Sequence, residues 1–264
     1  MKWIKSIYKL TPFRPEFLSN RLLRITPRID LNDPYDFYPF QSDIEEKQNA
    51  YKTFIASEYV PESRYIAEMH LSEIGIISFT EAIDNILMWS HYADAHKGMA
   101  IGFDPKHPFF SDMQRVRYTT QRTNLREEFP NIMGTELFFK SDQWMYEKEW
   151  RIIKSFSNAR YAYGLKNKNI QDIKNKNYLQ ISFEFPINQD FPDKFEKDES
   201  VFAMLDVPAE AIQSFTFGER VTKDQINHFI VILKQEKALS HVVCYKTVLN
   251  PDKYELEFQE IPWK

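Results

Sequence analysis

The chain has 264 residues, 43% of them hydrophobic and 16% aromatic, with a formal net charge of -4. That apolar content sustains a continuous core and excludes a disordered chain. The weak acidity excludes the broad basic footprint of a general nucleic-acid binder. The single cysteine, Cys244, sits in the apolar run His241–Tyr245. It can form neither an internal disulfide nor a thiolate metal cluster, so a reducing, cytoplasmic setting is expected. No run approaches the roughly 18 apolar residues of a membrane-spanning helix, and the N-terminus lacks a signal-peptide pattern. No membrane partner is expected.

Taken in chain order, Pro15–Asn20 reads as a short helix feeding a strand at Arg21–Thr26, and Asn32-Asp33-Pro34-Tyr35-Asp36 as a turn whose side chains order a loop. Ser42–Ser72 is helical in pattern and divided by Pro61. Gly75–Thr80 and Gly98–Phe103 read as strands, Asn85–Tyr92 as a helical turn, and Met113–Tyr118 as a further strand. Arg122–Lys140 is expected to be partly helical, and Trp150–Lys154 to be a strand. Strand patterns follow at Tyr178–Phe185, Ser200–Leu205, Ala211–Phe217, Val242–Val248 and Tyr254–Gln259. Among them Thr222–Glu236 is an amphipathic helix capped by Thr222, with Ile226, Phe229, Ile230 and Leu233 on one face. The fold class is therefore α+β, with mixed, mostly antiparallel sheets flanked by helices, in one domain over 1–264. The asparagine- and lysine-rich patch Lys166–Asn177 reads as a surface insertion or hairpin arm, and 157–177 as the place where the chain would divide.

Chemistry-bearing residues concentrate in three segments. Met88–Gly98 holds Trp89, Ser90, His91, Tyr92, Asp94 and His96. His91 and Asp94 share a helical face, but His91, Asp94 and His96 do not match a familiar zinc spacing. No metal site is assigned, and a metal-dependent hydrolase or nuclease on these residues is kept as an alternative. Trp144–Arg151, read as a strand, puts Glu147, Glu149 and Arg151 on one face, and Tyr146, Lys148 and Trp150 on the other. Three charged groups on one face require solvent or a polar cleft. Ser78-Phe79-Thr80, at the end of a strand, places two hydroxyls on one side.

Met88–Asp94 with Gly98, Gly102-Phe103-Asp104, and Tyr146–Arg151, together with Tyr8-Lys9, Asn32–Pro34 and Ser78–Thr80, resemble the bacterial domain of unknown function 2971 over most of the first 155 residues. A second resemblance lies in residue order. Lys9 or Arg24, then Ser78-Phe79-Thr80, then Glu147-Lys148-Glu149 are similar to the order cation, Ser/Thr strand, E-x-E found in ADP-ribosyltransferases. That resemblance implies a split β core and NAD as substrate, as in toxins and antiphage effectors that modify protein or nucleic acid. It also implies catalytic roles for Glu149, Glu147 and His91, and ligand contacts by Lys9, Ser78, Thr80, Trp89, Tyr92 and Arg151. The alternative of another class is a non-catalytic module that senses a small nucleotide or a protein partner.

Overall fold

A computed structural model describes residues 5–36, 38, 45, 74–122, 135–164, 170–172 and 201–264. Its backbone is a large mixed sheet with small accessory sheets and few helices, so the α+β expectation holds. The main sheet runs β15-β14-β13-β5-β1-β4-β9-β6, with β3 also paired to β4. Its strands are β1 (Ile7–Thr11), β3 (Thr26–Pro27), β4 (Ile74–Thr80), β5 (Met99–Phe103), β6 (Gln114–Arg115) and β9 (Glu149–Ser155). They continue with β13 (Ile212–Phe217), β14 (Val243–Leu249) and β15 (Leu256–Ile261). All described pairs in this sheet are antiparallel except β13–β14, which is parallel.

β1 lies at the centre, paired with β4 on one side and β5 on the other. Strands this central are covered on both faces and read as near-continuous apolar runs, as Gly98–Phe103 does. Ile7, Ile77, Met99, Ile101, Phe103, Ile152, Phe215 and Phe217 are all fully or almost fully buried. Helix α3 (Lys223–Leu233) packs Ile226, Phe229 and Leu233 into the same core. Its start is a capping box, in which the Thr222 side chain accepts the Gln225 amide and the Gln225 side chain accepts the Thr222 amide. Cys244 lies in this core, where burial pushes its thiol up to about 12.

Three expectations are corrected. The stretch Arg21–Thr26 is not one strand. Residues Leu22–Arg24 (β2) pair with β12 (Val201–Asp206) in a four-stranded sheet with β10 (Tyr161–Gly164) and β11 (Ile170–Asp172), while Thr26–Pro27 joins the main sheet. The fully buried Ile25 sits at the crossing. Met113–Tyr118 likewise splits into β6 and β7 (Arg117–Thr119), and β7 pairs in parallel with β8 (Phe139–Ser141). The segment Trp144–Arg151 is only half strand: Asp142–Glu147 form a 3-10 helix, Lys148 turns left-handed at φ 45°, and β9 begins at Glu149. Of the Asn/Lys-rich patch only Ile170–Asp172 lies among the described residues, as β11, which pairs antiparallel with β10. The expected helices in Ser42–Ser72, the strand Tyr178–Phe185 and most of Arg122–Lys140 fall largely outside the described residues.

Helix α2 (Ile86–Tyr92) is capped by Asn85, whose side chain accepts the amides of Leu87 and Met88. It ends in an unusual turn. Asp94, Ala95 and His96 all take left-handed φ, at 46°, 49° and 69°, a conformation costing about 1–2 kcal/mol per non-glycine residue. The turn is clamped from outside, since the Gly98 amide donates to the Ala93 carbonyl, and the Gly218 and Arg220 amides donate to the Gly98 and His96 carbonyls. Glycine is required at 98 because a Cβ there would lie 2.2 Å from the Thr11 carbonyl oxygen and 2.8 Å from the Ala93 backbone. Gly98→Ala should therefore destabilise the protein by roughly 2–4 kcal/mol, read as a lower urea midpoint with an unchanged slope.

Candidate functional site

A cavity of about 320 Å³ opens where β1, β4, α2 and the start of β9 meet. Tyr8, Lys9 and Leu10 of β1 line it together with Ile76, Ser78, Phe79 and Thr80 of β4. Met88 and Tyr92 of α2, and Asn32 and Asp36 of the early turn, form another wall. Lys140, Glu147 and Glu149 close it, and Arg24, Thr26, Asp30 and Leu31 lie at its side. The register explains the convergence. Tyr8 faces Thr80 across the β1–β4 pair, and Thr80 faces Glu149 across the β4–β9 pair.

The acidic wall is a buried charge network. Arg151, with no exposed surface, donates Nε to Glu149 Oε1 at 2.8 Å and one Nη to Glu149 Oε2 at 3.0 Å. Its two Nη atoms also grip Asp36 at 2.7 and 2.6 Å, and one donates to the Leu137 carbonyl at 2.8 Å. Lys140 Nζ sits among three carboxylates: Glu147 at 2.6 Å, Glu149 at 3.3 Å and Asp36 at 3.7 Å. It also lies 4.9 Å from the centroid of the Trp144 ring. Tyr92 Oη donates to Glu147 in a short bond and accepts from Asn32 Nδ2 at 2.8 Å. The Tyr118 hydroxyl accepts the Glu149 amide at 2.8 Å, and the Thr80 hydroxyl donates to the Glu147 carbonyl while accepting the Ala82 amide.

The three carboxylates do not share one ionisation. Burial alone would raise Glu149, but Arg151 and Lys140 overcome it and hold the carboxyl at about 2. Burial dominates for Glu147 and Asp36, both of which are shifted upward despite their cations. Burial also raises Tyr92, and the adjoining Glu147 carboxylate reinforces the shift, so the shared hydrogen stays between them. On the opposite wall, desolvation lowers Lys9 to about 8.

The structure sorts the expected site residues. Lys9, Ser78, Thr80, Tyr92, Glu147 and Glu149 come together on the cavity. Arg151 lies behind the wall, spent on Glu149 and Asp36, and has no exposed surface to offer a ligand. Trp89 is likewise fully buried, its indole donating to the Ile83 carbonyl at 2.6 Å, so it cannot stack on a ligand. His91 is exposed on α2, against the rings of Tyr92 and Tyr146, and does not line the cavity. Asp94 and His96 are drawn into the left-handed turn, and His96 stacks on Trp89 at 6.3 Å. Among the described residues no group of three metal-ligating side chains forms.

Sequence reasoning missed Lys140 and Tyr118, and read Asp36 only as part of a turn. An acid two residues after a proline turn and a lysine in Phe138-Phe139-Lys140 carry no local signal. Only their burial, at 3% and 7% exposure, marks them.

The fold and the site thus define an α+β protein with a small polar cavity walled by buried ion pairs. Residues 88–152 match the model of the family described as protein of unknown function (DUF2971). The matched segment includes most of α2 together with Lys140, Glu147, Glu149 and Arg151. No curated protein and no solved structure matches the chain.

Lys140 is the cation common to all three carboxylates, so Lys140→Met should cost about 3–5 kcal/mol by leaving them buried with only Arg151. The pH dependence has a definite sign. Glu149 is depressed from 4.5 to about 2, so its contribution is complete above about pH 4.5 and disappears as the pH falls toward 2. The upward-shifted Glu147 and Asp36 act oppositely and offset part of this. In Lys140→Met all three carboxyls rise, so protonating them costs the fold less, and the stability deficit against the wild type, read by urea unfolding, should shrink as the pH falls from 7 toward 3.

Proposed function

We propose that the cavity takes the nicotinamide–ribose end of NAD and that the protein is an ADP-ribosyltransferase-like enzyme. One observation carries this reading: Lys9, Ser78-Thr80 and Glu147-Glu149, far apart in sequence, line a single cavity beside the rings of Tyr8 and Tyr92. The volume, about 320 Å³, is at the lower end of ligand pockets and suits half a dinucleotide, leaving the adenosine outside. The residues fit the chemistry. Carboxylates accept ribose hydroxyls, aromatic rings flank a planar base, and Lys9 supplies positive charge for a phosphate.

In this reading the bond between the ribose and nicotinamide breaks with its electron pair going to the departing base. The acceptor's oxygen or nitrogen then bonds to the ribose and gives up its proton. Glu149 opposes the positive charge that develops on the sugar, and Arg151 with Lys140 keep it ionised for that task. Glu147, coupled to Tyr92, is the group able to hold the acceptor's proton. The split β core implied by the resemblance belongs to this proposal, as does a role against phage or as a toxin.

A second reading, a nucleotide-binding module without turnover, draws on a different observation. The oxygens of Glu149 already accept from Arg151 and Lys140, and those of Glu147 from Tyr92 and Lys140. Carboxylates so occupied are also what a purely architectural wall would contain. Incubation of the full chain with NAD separates the two. The transferase reading predicts nicotinamide release, slowed about 100-fold or more in Glu149→Gln. Saturable NAD binding with no release would overturn it in favour of the module, and absence of binding would overturn both.

A further inference from the structure

We infer that Lys9 is a reactive amine, and that the cavity captures hydroxylated aldehydes of the aldose class as an imine on its Nζ. Lys9 lies on the cavity wall, half-buried, and its Nζ makes one hydrogen bond among the described residues, to the Ser78 carbonyl at 2.9 Å. An ammonium offers three donors, so most of its capacity is unspent. Among the described residues it has no ion pair of its own, because the nearby carboxylates are engaged elsewhere: Glu147, Glu149 and Asp36 with Lys140 and Arg151, and Asp30 with Arg24.

The charges acting on Lys9 are Glu149 from β9, which favours its protonated form, and Arg14 and Arg24, which oppose it. Desolvation is the strongest influence, and the amine titrates at about 8 rather than 10.5. At neutral pH a substantial share of the amine is therefore free base, the form in which lysine adds to carbonyls.

The step balances without any redox partner. The Nζ lone pair forms a C–N bond to the aldehyde carbon, and the carbonyl oxygen gains protons and leaves as water. The amine supplies both of those protons as its two N–H bonds give way to the C=N double bond, so no outside proton is consumed. The rest of the wall selects the aldehyde. Tyr8 and Tyr92 offer phenols, and Asn32, Glu147 and Glu149 offer further polar groups, all suited to hydroxyls. An unsubstituted alkyl aldehyde would set apolar carbon against this polar wall and gain none of these contacts.

The inference stands apart from the NAD reading, because its test contains no nucleotide. The native full chain is treated briefly with glyceraldehyde and cyanoborohydride at pH 7.5, and each lysine is quantified by peptide mass spectrometry. Lys9 should be alkylated about 10-fold faster than the exposed Lys97 and Lys148, an excess that shrinks as the pH approaches 10. Lys9→Arg, with an unchanged far-ultraviolet spectrum, should lose the fast adduct. Labelling of Lys9 no faster than of Lys97 would overturn the inference. An equal excess with propanal would overturn the assignment to aldoses.

Discussion

Arg151 has no water to turn to. A guanidinium buried on β9 must find carboxylates, and it finds two: Glu149, its neighbour but one on the same strand, and Asp36, 115 residues away in the turn after β3. An unpaired charge in that position would cost several kcal/mol. The early turn is therefore tied to β9 with the force of a bidentate ion pair at both ends. Lys140 completes the arrangement, and with it Glu147 and Glu149 become a rigid wall instead of a mobile pair of acids.

The cavity follows from that wall. β1, β4 and β9 are adjacent in the sheet, so Tyr8, Thr80 and Glu149 reach one space by register, and Lys9 is held at it by its bond to the Ser78 carbonyl. α2 is laid over that space by its Asn85 cap and by the strained turn Asp94–His96, and Tyr92 is thereby delivered to Glu147. Non-glycine residues held left-handed cost stability and persist only where their surroundings dictate them. Here the surroundings are Gly98 and the Gly218–Arg220 loop. The same wall also sets the chemistry, by keeping Glu149 ionised while Lys9 is left without an ion pair among the described residues.

Much of the fold was legible because periodicity reports burial. The apolar runs at Gly75–Thr80, Gly98–Phe103 and Ala211–Phe217 are central strands, and Thr222 does open a capped amphipathic helix. Boundaries failed where tertiary contacts overrule pattern. Ile25 carries the chain from one sheet to another, and the pattern of alternation through Arg21–Thr26 contains no sign of it. Glu147 and Glu149 do face the same place, but not by strand alternation. The 3-10 turn and left-handed Lys148 bring Glu147 there from outside the strand. The dense motif Met88–Gly98 marked the right region, yet most of its notable residues serve the architecture: Trp89 fills the core and His96 stacks on it. Lys140 was invisible and Asp36 legible only as part of a turn, because a buried charge is recognised only by what surrounds it.

The central claim is that Asp36 and Arg151 act as one unit that builds the cavity wall. A double-mutant cycle with Asp36→Asn and Arg151→Lys, read from urea unfolding at neutral pH, tests it most directly. Each single change should be costly, and the double mutant should be little worse than the costlier single, giving a coupling of about 2 kcal/mol or more. Losses that add to within about 0.5 kcal/mol would contradict the account, since residues that do not share an interaction behave in that way.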